Sequence, residues 1–505
     1  MEATIYGATL HAGGARLVRV EAVIGRGLAR TVLVGMPDAV AREARERLPA
    51  ALHRHGFRYP SGKVLFNLVP AQLPKRGLPL DLALAVAVLV ADRQLPVPRR
   101  PWLFLAELDL HGRLGAPARG TLLAALAATG QVQALVTTPA AAREAALAPD
   151  AAAFGATDLA AVARLLRDPG AHSRALPLVG GPLAPARPSR ALDEVRGQRL
   201  ARRAAVVAAA GRHDLLLQGP PGVGKSLLAR RIADLLPRLN RARALELAQV
   251  EAALGRVRAL PRRPPMRAPH SSVSPQGLLG GGAPLRPGEL SRAHGGVLFL
   301  DELPEFQRPA LEGLRQPLED RELRLQRARE SARFPADVLL VATRNPCPCG
   351  YLGHPRRPCT CTPHQVQRYH ARISGPLLDR FDLVVEMGPV APADLHGPPT
   401  PPREAEIRGW LARARWSQRR RGGADALPGR MDLAALRAAG VAPQAERALQ
   451  AAAARFELSA RAMLRCLRVA RTLADIQGAP AIGRAHAAEA VSYRARASTE
   501  PAATN

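Results

Sequence analysis

Gly219-Pro220-Pro221-Gly222-Val223-Gly224-Lys225-Ser226 follows the apolar run Leu215-Leu216-Leu217 and precedes a helix-patterned stretch, Leu227 to Leu236. Strand, glycine loop and helix form the context in which a G-x-x-x-x-G-K-S pattern cradles a polyphosphate. The glycines let backbone N–H groups crowd around the anion, and the helix N-terminus behind them adds partial positive charge. On that reading residues 219–226 hold the nucleotide, with Lys225 reaching the β- and γ-phosphates and Ser226 ligating Mg²⁺. A second stretch points the same way, because Val297-Leu298-Phe299-Leu300 runs directly into Asp301-Glu302. An apolar strand ending in two carboxylates is the Walker B arrangement: Asp301 serves Mg²⁺ and Glu302 polarises the attacking water. The two stretches together imply an α/β nucleotide-binding core that hydrolyses ATP.

Composition narrows the partners. Of 72 Lys and Arg residues only Lys63, Lys75 and Lys225 are lysines, so the phosphate position keeps a compact ammonium where nearly every other cation is Arg. A planar guanidinium does not replace an ammonium in so tight a cradle. GC-rich coding accounts for Arg over Lys, but not for the shortage of acids that leaves a formal net charge of +30. Such a chain attracts polyanions, nucleic acid first among them; the alternative is a solvated basic surface without a partner. The first residues lack a basic start followed by an apolar core, and the longest apolar run, Leu82 to Ala91, is about half a membrane span. A cytoplasmic protein with reduced cysteines is expected.

Along the chain, residues 1–172 alternate short apolar strands (Val32-Leu33-Val34, Val64-Leu65-Phe66) with Ala-rich helix patterns such as Ala39 to His53, which predicts an α+β domain. Residues 173–190 are a Pro/Gly/Arg-rich linker. The nucleotide module spans 191–388, with strands expected at 214–218, 297–300, 338–342 and 381–387 in a parallel sheet covered by helices. A second linker at 389–402 leads to a helical domain over 403–496, marked by Leu464, Leu467, Ala470 and Leu473, and residues 497–505 are expected to be a disordered tail.

Further residues fall where an oligomeric ATPase needs them. Asn345, after the strand ending near Ala342, is placed to hold the lytic water, although an Asn after a strand is also a common turn former. Arg380 follows a short helix-like segment and is placed to reach a neighbouring subunit's nucleotide; the alternative is a salt bridge to Asp379 or Asp382. Arg461, in Leu458-Ser-Ala-Arg461, is a candidate for a phosphate contact from the helical domain. Cys347, Cys349, Cys359 and Cys361 form two close pairs that suit a four-sulfur structural Zn²⁺ site, against the alternative of reduced thiols packing a loop. Cys466 stands alone on a helix and reads as core. Between Glu251 and Glu289 there is no acid, while Arg256, Arg258, Arg262, Arg263, Arg267 and Arg286 occur, so this excursion is either a pore loop for phosphate backbones or an exposed loop with counterions. Arg413 to Arg421 with Trp410 and Trp416 suits single strands, unless the indoles pack into the helical domain.

With those residues in view the chain resembles the magnesium-chelatase-like AAA+ ATPases of the ComM/YifB type. The resemblance is carried by Asp193 to Gln198, Gly219 to Ser226, Arg267-Ala-Pro-His270, Gly280-Gly-Gly282, Arg286 to Glu289, Val297 to Phe306, Asn345 to Gly350, Ile373 to Asp382 and Leu467 to Thr472. The N-terminal region, with Val34-Gly-Met-Pro-Asp38, Asn67-Leu-Val-Pro70 and Leu73-Pro-Lys75, is similar to that family's ribosomal-S5/Lon-protease-like domain. The resemblance implies a hexameric ring, cytoplasmic and bacterial, that works as a DNA helicase on single-stranded or branched DNA, promoting branch migration in natural transformation. It also implies roles: Asn345 as sensor 1, Arg380 as arginine finger and Arg461 as sensor 2. The chain departs from the family's pattern at Ser271, usually a second histidine, and at Thr343-Arg344, which places an extra cation near sensor 1. Two other classes compete. One is a chelatase motor subunit, which the large basic excess disfavours; the other is a Lon-like protease. The protease reading needs a serine beside a lysine, and Ser61 in Tyr59-Pro-Ser-Gly-Lys63 is the only serine before residue 172 and reads as a bend.

Overall fold

The computed structural model describes residues 2–11, 14–71, 75, 79–98, 100–117, 120–149, 152–174, 192–256, 260–327, 330–396, 401–422 and 426–495. The predicted linker from 175 to 190, residues 397–400 of the second linker, the tail from 497, Leu73 and Arg258 lie outside them.

The N-terminal part is built on a seven-stranded mixed sheet in the order Arg30–Val34, Lys63–Val69, Gly14–Gly25, Glu2–His11, Trp102–Phe104, Ala134–Thr137, Ala153–Gly155. Glu2–His11 and Gly14–Gly25 form an antiparallel hairpin, and from Glu2–His11 outward through Trp102–Phe104 the pairing is parallel. The apolar run is the helix Asp81–Ala91, every residue of which is buried. A helix without a polar face must be covered all round, and this one lies against the first hairpin while the helix Asp38–Arg54 covers its other side.

The second sheet positions the site. Its five strands run parallel in the order Met266–Arg267, Val297–Leu300, Leu339–Arg344, Leu215–Gln218, Leu383–Glu386. Four of them were expected; Met266–Arg267 was not, being two residues long and lacking an apolar run. The interior strands are continuous runs of Leu and Val because both faces are covered. Leu215, Leu217, Val297, Phe299, Val341, Leu383 and Val385 pack against the helices Arg199–Gly211 and Lys225–Leu235 and the C-terminal helices. Leu216, Leu298, Leu300, Leu340, Ala342 and Val384 face the other way, into a core continuous with Ala8, Leu103, Leu122 and Leu135 of the N-terminal sheet and its helix. Period-two alternation therefore sorts each strand between two cores.

The C-terminal region consists of helices, with Glu404–Gly422, Pro443–Phe456, Ala460–Gln477 and Arg484–Ala495 the longest. On Ala460–Gln477 the buried stripe is Ala462, Cys466, Val469, Ala470 and Leu473, shifted from the expected one, in that Leu464 and Leu467 are half-buried. Cys466 is core, as read from the sequence.

Candidate nucleotide-binding site

The strand Leu215–Gln218 ends in a loop that only glycine can build. Gly219, Gly222 and Gly224 have φ of 150°, 81° and 92°, and a Cβ on Gly219 would collide with the carbonyl oxygen of Met387. The helix Lys225–Leu235 starts at once, so its unpaired first-turn N–H groups face the loop. Lys225 is 7% exposed, and its Nζ donates to the carbonyls of Gly219 (2.6 Å) and Pro220 (2.8 Å) and to Asn345 Oδ1 (2.9 Å). Burial lowers its pKa, while the carboxylates of Asp301 and Glu302 work in the opposite direction. The loop thus presents an ammonium held at the level of its own carbonyls, where phosphate oxygens would replace them as acceptors.

Opposite the loop, the strand Val297–Leu300 delivers Asp301 and Glu302. Ser226 Oγ donates to Asp301 Oδ1 at 3.1 Å, which brings together a hydroxyl and a carboxylate of the kind that share one Mg²⁺. Thr343 Oγ1 donates to the same oxygen at 2.6 Å and accepts the Glu302 backbone N–H at 2.8 Å. Thr343 therefore fixes both acids, a role the sequence reading missed; only its position on the strand beside Val297–Leu300 hinted at it. Arg344, expected as an extra cation beside Asn345, is instead buried and donates to Gln218 Oε1. Glu302 takes φ 55° and ψ 58°, a left-handed conformation for a non-glycine residue, which turns its carboxylate off the strand.

Arg380 lies elsewhere. It precedes the strand Leu383–Glu386, which pairs in parallel with Leu215–Gln218 so that Leu383 faces Leu215 and Glu386 faces Gln218. The loop of Lys225 leaves one end of the sheet and Arg380 enters at the other. Its Nη2 donates to the Leu318 carbonyl, and its Nε is 3.7 Å from Asp214 Oδ2. Neither Asp379 nor Asp382, the two alternatives from sequence, is the partner. Asp382 instead accepts from His213 Nδ1 (3.0 Å), whose Nε2 meets Thr472 Oγ1 (2.7 Å), tying the sheet to the helix Ala460–Gln477. Burial pushes Asp214 up to about 6, against the pull of the Arg380 guanidinium. Arg461 is exposed in the first turn of Ala460–Gln477 and has no ion pair among the described residues.

The four cysteines converge. Cys347 Sγ is 3.3 Å from Cys349 Sγ and 3.6 Å from Cys359 Sγ, Cys349 and Cys359 are 3.6 Å apart, and all four sulfurs lie within 4.8 Å of one another. These separations exceed a disulfide's roughly 2.05 Å and approach the ~3.8 Å edge of a tetrahedron with Zn–S near 2.3 Å, so the donor set fits Zn²⁺. Backbone N–H groups of Tyr351 and Thr360 hold the Cys349 thiol well below its usual range.

The basic stretches are less free than they read. Arg267 is clamped bidentate by Glu289 (2.6 and 2.8 Å), and Gly280–Gly281 pairs with Arg286–Pro287 in a hairpin, so the part from Arg267 to Glu289 is folded rather than a loose excursion; Arg262, Arg263 and Arg286 remain exposed. In Glu404–Gly422, Arg413 and Arg415 donate to the carbonyls of Ile476 and Leu235, and Arg421 binds Asp475 bidentate. Trp410 packs with Arg203 over its ring, whereas Trp416 is 60% exposed with Arg420 stacked on it. An additional basic element is the hairpin Glu322–Arg327 with Glu330–Pro335, where Arg324 and Arg333 stand opposite each other and exposed. Ser61 is exposed in a bend and Lys75 Nζ is held by the Pro70 carbonyl at 2.5 Å, so neither forms a dyad.

This geometry agrees with comparison to known proteins. The family described as magnesium chelatase, subunit ChlI, matches residues 191–395; subunit ChlI of Mg-chelatase matches 20–141; and the ChlI C-terminal family matches 403–494. The chain is 38% identical to competence protein ComM of Haemophilus influenzae over 491 residues, 95% of each chain. It is 38% identical to YifB of Escherichia coli over 95% of this chain and 94% of that one, and 40% identical to a Mycobacterium tuberculosis protein over 95% of each. With its glycine loop, paired acids and parallel five-stranded sheet, and 38% identity to ComM and YifB over 95% of its length, the chain is a member of the ComM/YifB family of magnesium-chelatase-like AAA+ ATPases.

Proposed function

We propose that this chain is the subunit of a hexameric, ATP-driven ring that moves single-stranded or branched DNA, a branch-migration helicase serving natural transformation and recombination in the cytoplasm. The observation that carries the reading is the polarity of the parallel sheet: the glycine loop leaves one end, and Arg380 enters at the other. An arginine so placed is suited to a neighbour's nucleotide rather than to its own, which makes catalysis depend on assembly. The transformation context rests on likeness to a relative named as a competence protein. Among the described residues no helix is long and apolar enough to cross a membrane.

In this reading the N–H groups of residues 219–226 and the Lys225 ammonium hold the triphosphate, and Ser226 and Asp301 hold Mg²⁺. Mg²⁺ when bound neutralises charge on the phosphates. Glu302 takes a proton from the attacking water, Asn345 orients that water, Arg380 of the adjacent subunit stabilises the transferring phosphoryl group, and Arg461 reports nucleotide to the helical domain. Residues 1–172, 191–388 and 403–496 act as the N-terminal, motor and lid domains. Cys347, Cys349, Cys359 and Cys361 hold a structural Zn²⁺.

Strand displacement on forked and four-way junction DNA tests the motor. Displacement should require ATP and vanish in Lys225→Ala; a protein that hydrolyses ATP but leaves every junction intact would end the DNA reading. The second reading, a chelatase motor, is favoured by the family descriptions over 20–141 and 191–395. It predicts ATP turnover stimulated by a porphyrin and its metal ion, but not by DNA.

A further inference from the structure

The four thiols sit where the chain leaves the sensor strand. Cys347 is two residues beyond Asn345, whose Oδ1 receives the Lys225 ammonium at 2.9 Å. Gly350, at φ 84°, packs so tightly on the glycine loop that an added Cβ would lie 2.6 Å from Pro221 Cδ. At the other end of the segment, Cys361 is followed by Thr362, which caps the helix Pro363–His370 through a reciprocal capping box with Gln365. The end of that helix returns to where the segment began. His370 Nε2 donates to the Pro346 carbonyl at 3.1 Å, and Tyr369 beside it is buried. The segment thus forms a closed circuit: sensor strand, Asn345, cysteine knuckle, helix and back to Pro346, the residue after Asn345.

Within this circuit the knuckle lacks an apolar core of its own. From Cys347 to Cys361 only Cys347 and Gly350 are buried, and Leu352 is 38% exposed. A loop without buried apolar side chains cannot offset the entropy of its ordering, and small modules of that kind are held by cross-links or metals. The sulfurs are prepared for one. Cys349 and Leu352 donate their N–H groups to Cys361 and Cys347 sulfurs at 3.3 Å, and Cys361 donates to Cys359 at 3.4 Å, contacts that spread the charge of metal-bound thiolates. Each cysteine would enter as thiolate, its proton passing to solvent.

We propose that Zn²⁺ at these four sulfurs is a clamp on the catalytic site, locking Asn345 and the Pro221 face of the glycine loop in register so that nucleotide affinity and ATP turnover depend on the metal. The proposal rests on the zinc reading stated above and adds a task to it. Cys347, Cys349, Cys359 and Cys361 are positioning residues, since none touches nucleotide.

The test uses the full chain. Metal analysis of purified protein should give one Zn²⁺ per chain, and Cys359→Ser/Cys361→Ser should lose it. Binding of a fluorescent ADP analogue should weaken about tenfold on stripping the wild type with a zinc chelator under reducing conditions, Mg²⁺ kept in excess, and recover when Zn²⁺ is returned. ATP turnover should follow the same course. Cys361→His, which keeps a zinc ligand, should retain both metal and affinity even if the double serine variant fails to fold. Protein that carries Zn²⁺, loses it to the chelator and binds the analogue unchanged would overturn the clamp while leaving the zinc site in place. Protein purified without zinc and unable to take it up would overturn both. Lys225→Ala with its full zinc content but no analogue binding would show that the two readouts are separable, as the proposal requires.

Discussion

Glu302 carries the site's clearest backbone signature, a left-handed φ of 55° held by the Thr343 hydroxyl on its N–H. Such a conformation costs a non-glycine residue on the order of 1–3 kcal/mol and persists only where its surroundings demand it. Glu302→Gln keeps the backbone and size but removes the carboxylate proposed as the base, so ATP should still bind while steady-state hydrolysis falls at least about 100-fold. Parental turnover in that variant would remove Glu302 from the mechanism. Thr343→Val makes a complementary case: it deletes the bond to Asp301 Oδ1 without changing volume, and turnover should fall about tenfold or more at saturating Mg²⁺. Asp214 poses a different question, because its pKa rises from 3.8 to about 6 through burial even beside Arg380. The folded state therefore binds the proton more tightly than the unfolded state, and the stability this gives, present at low pH, is lost as pH rises through about 6. Above that pH the charged form is a net burden on folding that Asp214→Asn relieves, while Oδ1 still accepts the Leu340 N–H. The variant should melt no lower than the parent at pH 7.5, and any gap should close toward pH 5, whereas its turnover should drop because Arg380 loses its counter-charge. A clearly lower melting temperature at pH 7.5 would show that the ion pair outweighs the desolvation.

The elements legible in the sequence were those whose chemistry is local. Leu215-Leu216-Leu217 before glycines and Val297 to Leu300 before Asp301 specify strand, loop and acid within a few residues, and both appear where read. What escaped was chemistry that depends on partners far along the chain. Arg267 looked like a free cation until Glu289 closed on it, Arg421 until Asp475 did, and Arg380 found Asp214 rather than its sequence neighbours. The hairpin Glu322–Pro335 was missed for another reason: its period-two signal, Leu323 and Leu325 inward with Arg324 and Gln326 outward, spans only six residues in each strand and is crowded with charge. That hairpin is a direct candidate for contact with phosphate backbones, because Arg324 and Arg333 face each other and, among the described residues, share the single carboxylate of Glu322. Reversing both charges, Arg324→Glu with Arg333→Glu, should weaken DNA binding at all sequences and flatten its salt dependence by roughly two phosphate contacts. Basal ATP turnover without DNA should be spared, since the hairpin lies outside the nucleotide loop. An unaltered salt slope would move the DNA path to another face, the exposed Trp416 and Arg420 being the next to test.

At the scale of the whole molecule, the proposed function asks for two half-sites that one chain cannot bring together. Lys225, Ser226, Asp301 and Glu302 gather at one end of the parallel sheet, and Arg380 stands at the other, a separation set by strands that register Leu215 with Leu383 and Gln218 with Glu386. Each strand residue advances about 3.3 Å, so no side-chain rotation brings Arg380 to its own nucleotide loop. A ring built by one repeated, head-to-tail contact solves the problem, since every subunit then receives from one neighbour what it gives to the other. This arrangement makes a quantitative demand. Arg380→Ala and Lys225→Ala should each be inactive alone, one lacking the donated arginine and the other the phosphate lysine. Mixed in equal amounts, they assemble rings in which an intact loop from the first meets an intact arginine from the second at about one interface in four. ATP turnover should therefore return to roughly a quarter of the parental value if interfaces fire independently. Two adjacent interfaces can never both be productive in a mixed ring, so a recovery below that value measures how far firing at one interface depends on the next. No recovery at any mixing ratio, in rings shown by sedimentation to contain both proteins, would rule out independently firing interfaces completed by Arg380 in trans and leave its contacts with Asp214 and Leu318 in its own subunit as its role.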